Sequence, residues 1–343
     1  MASTHASSAQ GGYCWCGSGQ PYRRCHRPFG RSGPGASLSI AGHAFPWAVQ
    51  AAPSAPQRLP APGMPLPDYA RSGVVDNRVL SNVRTPDEIE RMRRAGRHAA
   101  ELLAMLTAMV GPGVTTDELD AAGFEECRRR QIYPSTLNYH GYPKSICTSV
   151  NEQICHGIPD SRPLRSGDIV NVDVTIFSEG VHADCSATMY VGDVNPIAKR
   201  LVHCARRCLD AGVAAVRPGR PFSDIGRAVE AVATRMGCTV VRQFVGHGIG
   251  PQFHTGLQVL HHFSPTERLP MEAGMVFTVE PMINLGSYLA VVGENGWTAT
   301  TADMARSAQF EHTVLVTEDG VEVLTPAPTP AVAAAGAPER RDG

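Results

Sequence analysis

A chain of 343 residues with a formal net charge of −1 carries no global signal for nucleic acid. Its hydrophobic content of 43% is ordinary for a globular protein, and no window approaches the roughly 20 apolar residues that a bilayer-crossing helix needs. Ten cysteines are too few for a disulfide-dense scaffold. With no secretory pattern at residues 1–5, they predict free thiols and a metal site in a reducing cytoplasm.

Composition divides the chain in order. Residues 1–12 read as a polar, disordered tail, and residues 13–29 form a small Cys/His unit. Residues 30–73 are rich in Gly, Ala, Ser and Pro, including Pro53-Ser54-Ala55-Pro56, and predict a semi-extended linker that buries little. Residues 74–325 have a globular composition, and residues 326–343 read as a frayed Pro/Ala tail.

Within the globular part, Thr85 is a good N-cap, Pro86 suits the first helical position and Glu88 completes a capping box. That helix should reach about Val110, ahead of Gly111-Pro112-Gly113. Further helices are predicted from about Thr116 to Arg130, from about Pro196 to Val216, and from a cap at Ser223 to Gly237. Strand-like runs lie between them. A helix pair, a hairpin, a second helix pair and more strands together predict two similar α+β halves.

The hairpin is the clearest local geometry. From Asp168 to Phe177, Val170, Val172, Val174 and Ile176 alternate with Asn171, Asp173 and Thr175. A turn at Ser178-Glu179-Gly180, centred between 178 and 179, would set Asp173 directly opposite Asp184. Two opposed carboxylates repel unless a cation lies between them. Three more ligand types follow in sequence. His247 sits in Gly246-His247-Gly248-Ile249-Gly250, Glu280 ends a strand ahead of Pro281, and Glu311 alternates with Phe310 and His312. Four carboxylates and one imidazole exceed what a single catalytic zinc takes, and suit two neighbouring divalent cations.

This ordered set (Asp173, Asp184, His247, Glu280, Glu311), with its flanking residues, resembles methionine aminopeptidase of type I, in the M24 group of metallopeptidases. The 33 residues from His247 to Glu280 leave no room for the helical insertion of the type II enzymes. The resemblance implies the pita-bread fold, α+β with two pseudo-symmetric halves. It implies removal of the initiator methionine from nascent chains with a small second residue. In the family, Asp173 and Asp184 would chelate one cation, His247 and Glu280 would complete the other, and Asp184 and Glu311 would bridge. Such an oxygen-rich set suits Mn or Fe(II) and admits Co or Zn. The paired cations would activate a water, His254 would help to stabilise the oxyanion, and Glu280 would shuttle the proton. His156 would lie near the substrate amine. Tyr139, Tyr142, Cys147, Phe253 and Trp297 would line an apolar pocket for the methionine side chain, with His156 and His254 also contacting substrate. One departure stands out. Where the family usually has Gly-Asp-Thr, this chain has Ala183-Asp184-Cys185, which implies a thiol in place of a hydroxyl beside the ligand.

At the N-terminus, Cys14, Cys16, Cys25 and His26 flank a Gly17-Ser18-Gly19 spacer in a pattern that resembles the SEC-C motif. It implies a Cys₃His structural zinc, since so short a unit folds only around its metal. With Arg23, Arg24 and Arg27 it would make an interaction knob, and ribosome association is the natural expectation for a cotranslational enzyme. The family suggests a cytoplasmic monomer with no membrane or sequence-specific nucleic-acid partner. Two other readings stay open: an X-Pro aminopeptidase or prolidase-like hydrolase of the same fold, and a non-catalytic ribosome-binding relative.

Overall fold

Strands β4 (Ile169–Ser178) and β5 (Val181–Tyr190) form the hairpin that organises the molecule in this computed structural model, which describes residues 47–76, 78 and 80–327. Cys14, Cys16, Cys25 and His26 lie outside the described residues. The hairpin turn is the two-residue Glu179-Gly180, with φ of 51° and 78°. Positive φ at both central positions is the type I′ geometry that matches the strand twist. The turn is therefore centred one position later than the sequence suggested. Asp173 pairs with Ser186 and Asp184 with Thr175. The two aspartates are diagonal rather than directly opposed. Because partners shift by two residues, both still point to the same face.

Val170, Val172, Val174 and Ile176 occupy the other face and pack into a core with helix α1 (Pro86–Met109). The capping box at Thr85 and Glu88 is present. Met92, Ala95, Ala99, Leu102 and Leu106 turn inward at three- and four-residue spacing. Gly96 lies on the same helix, and a Cβ there would stand 2.0 Å from the Leu324 carbonyl oxygen. Helix α2 (Thr116–Arg130) carries a second capping box at Thr115 and Glu118.

The main sheet runs β1 (Tyr133–Pro134), β4, β5, β14 (Glu311–Val316), β15 (Val321–Val323), with β2 (Cys147–Val150) on β4 and β9 (Val276–Val279) on β14. The second helix pair, α3 (Pro196–Ala214) and α4 (Ser223–Arg235), builds a second core with Phe277, Val279, Ile283 and Val314. The helix ends fall close to the predicted ones, but Ser223 is the first helical residue rather than the cap. Phe222 is already in a helical conformation, and the tight turn Asp224 N–H to Pro221 O replaces a side-chain cap. Small sheets complete the fold among the described residues. β6 (Thr239–Val240), β10 (Met282–Asn284) and β13 (Ser307–Gln309) form one. β3 (Gln153–Cys155), β11 (Ala290–Val292) and β12 (Ala299–Thr301) form another. β7 (Gly246–His247) and β8 (Gln258–Val259) pair alone.

The stretch expected to bury little instead docks as a strap over residues 47–73. Trp47, Met64, Tyr69 and Ala70 are buried. The amides of Val49, Ala52 and Ala55 donate to the carboxylates of Glu152, Asp160 and Asp117. Arg58 pairs with buried Asp120. Proline leaves a segment without ladder partners, yet these three amides find carboxylates of the domain, while Met64, Ala70 and Gly73 donate to carbonyls within the strap itself.

Candidate active site

The two halves meet at a cavity of about 330 Å³. Each of the twelve residues assigned above to the divalent-cation site or to substrate lines it: Asp173, Asp184, His247, Glu280, Glu311, His156, His254, Tyr139, Tyr142, Cys147, Phe253 and Trp297.

Each acidic residue is delivered by a strand whose opposite face is core. Asp184 lies on β5, and its Oδ1 accepts a hydrogen bond from Thr175 Oγ1 at 2.8 Å. Its backbone is held by Thr313 of β14 in both directions, the Asp184 N–H donating at 3.0 Å and the carbonyl accepting at 2.8 Å. Glu280 follows β9. Thr278 Oγ1 donates to Glu280 Oε1 at 2.7 Å and accepts from the His247 N–H at 2.9 Å, so one hydroxyl fixes two neighbouring groups. Gln309 Nε2 donates to Glu280 Oε2 at 3.2 Å, and the Glu280 N–H donates to Nε2 of buried His261 at 3.0 Å. His247 Nε2 stands 3.7 Å from Asp184 Oδ2 and 3.6 Å from Glu280 Oε1.

Asp184, His247 and Glu311 are buried and present ligand atoms within 4.8 Å of one another. Asp173 and Glu280 fall outside that tight trio but face the same cavity. Glu311 Oε1 is buried with no hydrogen-bond partner. Among the described residues no lysine or arginine forms an ion pair with these four carboxylates. Burial first, and then mutual repulsion with Asp184 and Glu280, push Asp173 and Glu311 well above the usual carboxylate range. Glu280 is raised to about 7, by burial opposed by His247. Burial pulls His247 down, but the neighbouring carboxylates of Asp184 and Glu280 outweigh it and leave it raised. Several carboxylates crowded around an unpaired oxygen, with no protein cation, are a donor set suited to hard divalent cations.

The substrate side is apolar and aromatic. Tyr142 is buried, its hydroxyl donating to Gly157 O at 2.8 Å. Its ring meets the Trp297 ring edge-on at 5.1 Å. Tyr139 stacks obliquely on Phe253 at 4.7 Å, and its hydroxyl lies 2.8 Å from His254 Nδ1. The His254 and His247 rings are 3.9 Å apart. His156 has φ of 56°, and burial lowers it to about 4, so it is neutral near pH 7. Gly157 follows it with no room for a side chain, a Cβ falling 2.0 Å from Thr148 O.

Cys185 is placed differently from the sequence expectation. Alternation along β5 turns its side chain away from Asp184 and into the α1 core. The hydroxyl neighbours of the acidic cluster are Thr175, Ser186, Thr278 and Thr313. Sequence reasoning also missed Thr136, Gln243, Phe244, Val245 and Met282 as lining residues. Thr175 was legible as the next same-face residue after Asp173. The others sit in loops or short strands without periodic signal.

Residues 90–318 match metallopeptidase family M24, and residues 14–28 match the SEC-C motif. The chain is 53% identical over 243 residues to Methionine aminopeptidase 2 of Mycobacterium tuberculosis, spanning 71% of this chain and 85% of that protein. It is 51% identical over 239 residues to Methionine aminopeptidase A of a Synechocystis strain, spanning 69% and 94%. The crystal structure of methionine aminopeptidase from Rickettsia prowazekii matches with a TM-score of 0.70 at 42% identity, over 74% of this chain and 100% of that one.

Proposed function

Because this chain belongs to metallopeptidase family M24, we propose that it is a methionine aminopeptidase that removes the initiator methionine from new proteins with a small second residue. The observation that carries this reading is the convergence of the acidic cluster and the aromatic, thiol-bearing pocket on one cavity. Sequence identity of about one half to two methionine aminopeptidases supports it.

Asp173, Asp184, His247, Glu280 and Glu311 would hold two divalent cations. Such a pair supplies Lewis acidity and lowers the pKa of water at the scissile carbonyl. The chain's own residues do the rest. Tyr142, Tyr139, Cys147, Phe253 and Trp297 enclose an unbranched thioether and exclude water from it. Neutral His156 accepts a hydrogen bond from the substrate ammonium without repelling it. With the Tyr139 hydroxyl donating to Nδ1, His254 keeps its proton on Nε2 and can donate it to the carbonyl oxygen as charge develops there. Glu280, facing the cavity beside His247, is the group suited to carry a proton to the leaving amine.

The SEC-C match supports a structural zinc on Cys14, Cys16, Cys25 and His26 and a docking role at the ribosome in the cytoplasm. Cys14→Ser should then remove one zinc per chain and ribosome co-sedimentation while leaving peptide cleavage intact.

The test of the main reading is metal-reconstituted protein offered Met-Ala-Ser, Met-Lys and Xaa-Pro peptides. Release of methionine from the first alone is expected. Cleavage of Xaa-Pro would favour the prolidase-like reading, and inertness with each of Mn, Fe(II), Co and Zn would favour a non-catalytic binding protein.

A further inference from the structure

We propose that Tyr69, carried by the N-terminal strap, is a positioning residue for the methionine pocket, so that a segment preceding the M24 match sets the enzyme's selectivity. The inference rests on the aminopeptidase reading and assigns work to residues outside the matched range, which begins at residue 90.

The pocket wall between Thr136 and Tyr142 is an unusual piece of backbone. Asn138 and His140 have φ of 59° and 48°, and Gly141 has φ of 84°. Non-glycine residues keep such conformations only where the surroundings hold them there. The strap supplies that hold. Residues 67–73 fold into a turn through the Ala70 N–H to Pro67 O and Gly73 N–H to Tyr69 O bonds. Asn138 Nδ2 donates to the carbonyls of Ala70 at 3.1 Å and of Tyr69 at 3.4 Å. Gly73 closes the stack, since a Cβ there would sit 3.4 Å from both Asn138 Oδ1 and Gly141 N.

Tyr69 is the centre of this clamp. It is 1% exposed, and its hydroxyl donates to Ser135 O at 2.6 Å, at the start of the wall. Its ring meets Tyr139 edge-on at 5.0 Å and an interplanar angle of 85°. Tyr139 is also held by Phe253 and by the hydrogen bond to His254. Tyr139 is thus held between a substrate-facing group and the strap. Removing Tyr69 leaves its ring free to turn into the vacated space, which widens the pocket and loosens its fit to an unbranched side chain.

The experiment compares full-length Tyr69→Ala, Tyr69→Phe, Asn138→Gly and the strap control Leu59→Ala, all metal-reconstituted. Leu59 is 81% exposed and should behave as the parent. Tyr69→Ala should raise KM for Met-Ala-Ser about tenfold. It should also cut the preference for Met-Ala-Ser over Leu-Ala-Ser about tenfold, with a smaller change in kcat. Tyr69→Phe should fall between, because it keeps the ring and loses only the anchor. Asn138→Gly keeps the backbone freedom while deleting the hook, so it should shift KM and preference in the same direction even if Tyr69→Ala does not fold. A merely structural role would lower the active fraction and leave KM and preference untouched; that result in both Tyr69→Ala and Asn138→Gly overturns the proposal. If Tyr69→Ala does not fold, an unshifted KM and preference in Asn138→Gly alone overturns it. A parent protein that releases no methionine removes the aminopeptidase reading, and this inference with it. An active parent with unshifted variants removes this inference alone.

Discussion

Asp184 faces Thr175 across the β4–β5 hairpin, and the Thr175 hydroxyl donates to its Oδ1 at 2.8 Å. That bond aims the other oxygen, Oδ2, at the side of His247. Groups that orient a metal ligand in this way typically contribute 10–100-fold in metal affinity. Thr175→Val, of nearly the same volume, should therefore weaken Mn(II) binding by roughly that factor in calorimetric titration. Peptide cleavage should be recovered at saturating metal. An unchanged isotherm would show that Asp184 is oriented by its backbone alone.

The acidic cluster carries an internal conflict in the metal-free chain. Asp173, Asp184, Glu280 and Glu311 face one cavity with no lysine or arginine paired to them among the described residues. Neutralising one of them should relieve repulsion. Glu311→Gln is expected to raise the thermal midpoint of chelator-treated protein, by roughly 1–2 kcal/mol of stability. The same change should abolish cleavage and the stabilisation that added Mn(II) gives the parent. Scanning calorimetry with and without chelator reads both effects.

Gly157 lies against β2, where a Cβ would stand 2.0 Å from the Thr148 carbonyl oxygen. Its own carbonyl accepts from the Thr148 N–H at 2.9 Å and from the Tyr142 hydroxyl. Gly157→Ala forces these segments apart, at a cost of about 1–3 kcal/mol for overpacking. Because His156 precedes it, the displacement should also lower kcat/KM by about 100-fold, as expected when a positioned group moves by about 1 Å. Near-parental kinetics would mean that His156 is held from elsewhere.

Glu152 anchors the strap through the Val49 N–H at 2.6 Å, yet its Oε2 is buried without a partner. Burial, opposed by the Val49 amide and by Arg162, raises its carboxyl to about 7. The unfolded chain releases this proton near pH 4.3, and the folded chain near 7. The folded form therefore binds more protons across that interval. This group's contribution to stability falls as pH rises from about 4.3 to about 7 and stays low above it. Glu152→Gln keeps an acceptor for Val49 and removes the charge. It should raise the melting midpoint at pH 8 by roughly 3–6 °C and change it little at pH 5. Equal shifts at both pH values would sink this account.

The residues themselves determined what depends on neighbours in sequence. Thr85 and Glu88 cap α1 because a capping box needs only three-residue spacing. The valines of β4 and Asp173 separate onto two faces because strand side chains alternate, and Asp184 shares the face of Asp173 because the pairing shifted by an even number of residues. The order of Asp173, Asp184, His247, Glu280 and Glu311 was likewise readable, from the few residues that flank each of them and carry the family resemblance. Tertiary structure decided what depends on segments far apart in the chain. The φ values of Glu179 and Gly180 chose the register that pairs Asp184 with Thr175 rather than with Asp173. That the face of Cys185 became the α1 core was settled by which side of the hairpin the helix covers. The proline-rich strap shows no periodicity, yet it buries Tyr69 because strap amides found carboxylates, and the Tyr69 hydroxyl a carbonyl, on a surface assembled from residues 117–160. Alternation and capping act within a few residues; burial is a property of whichever surfaces the folded chain brings together.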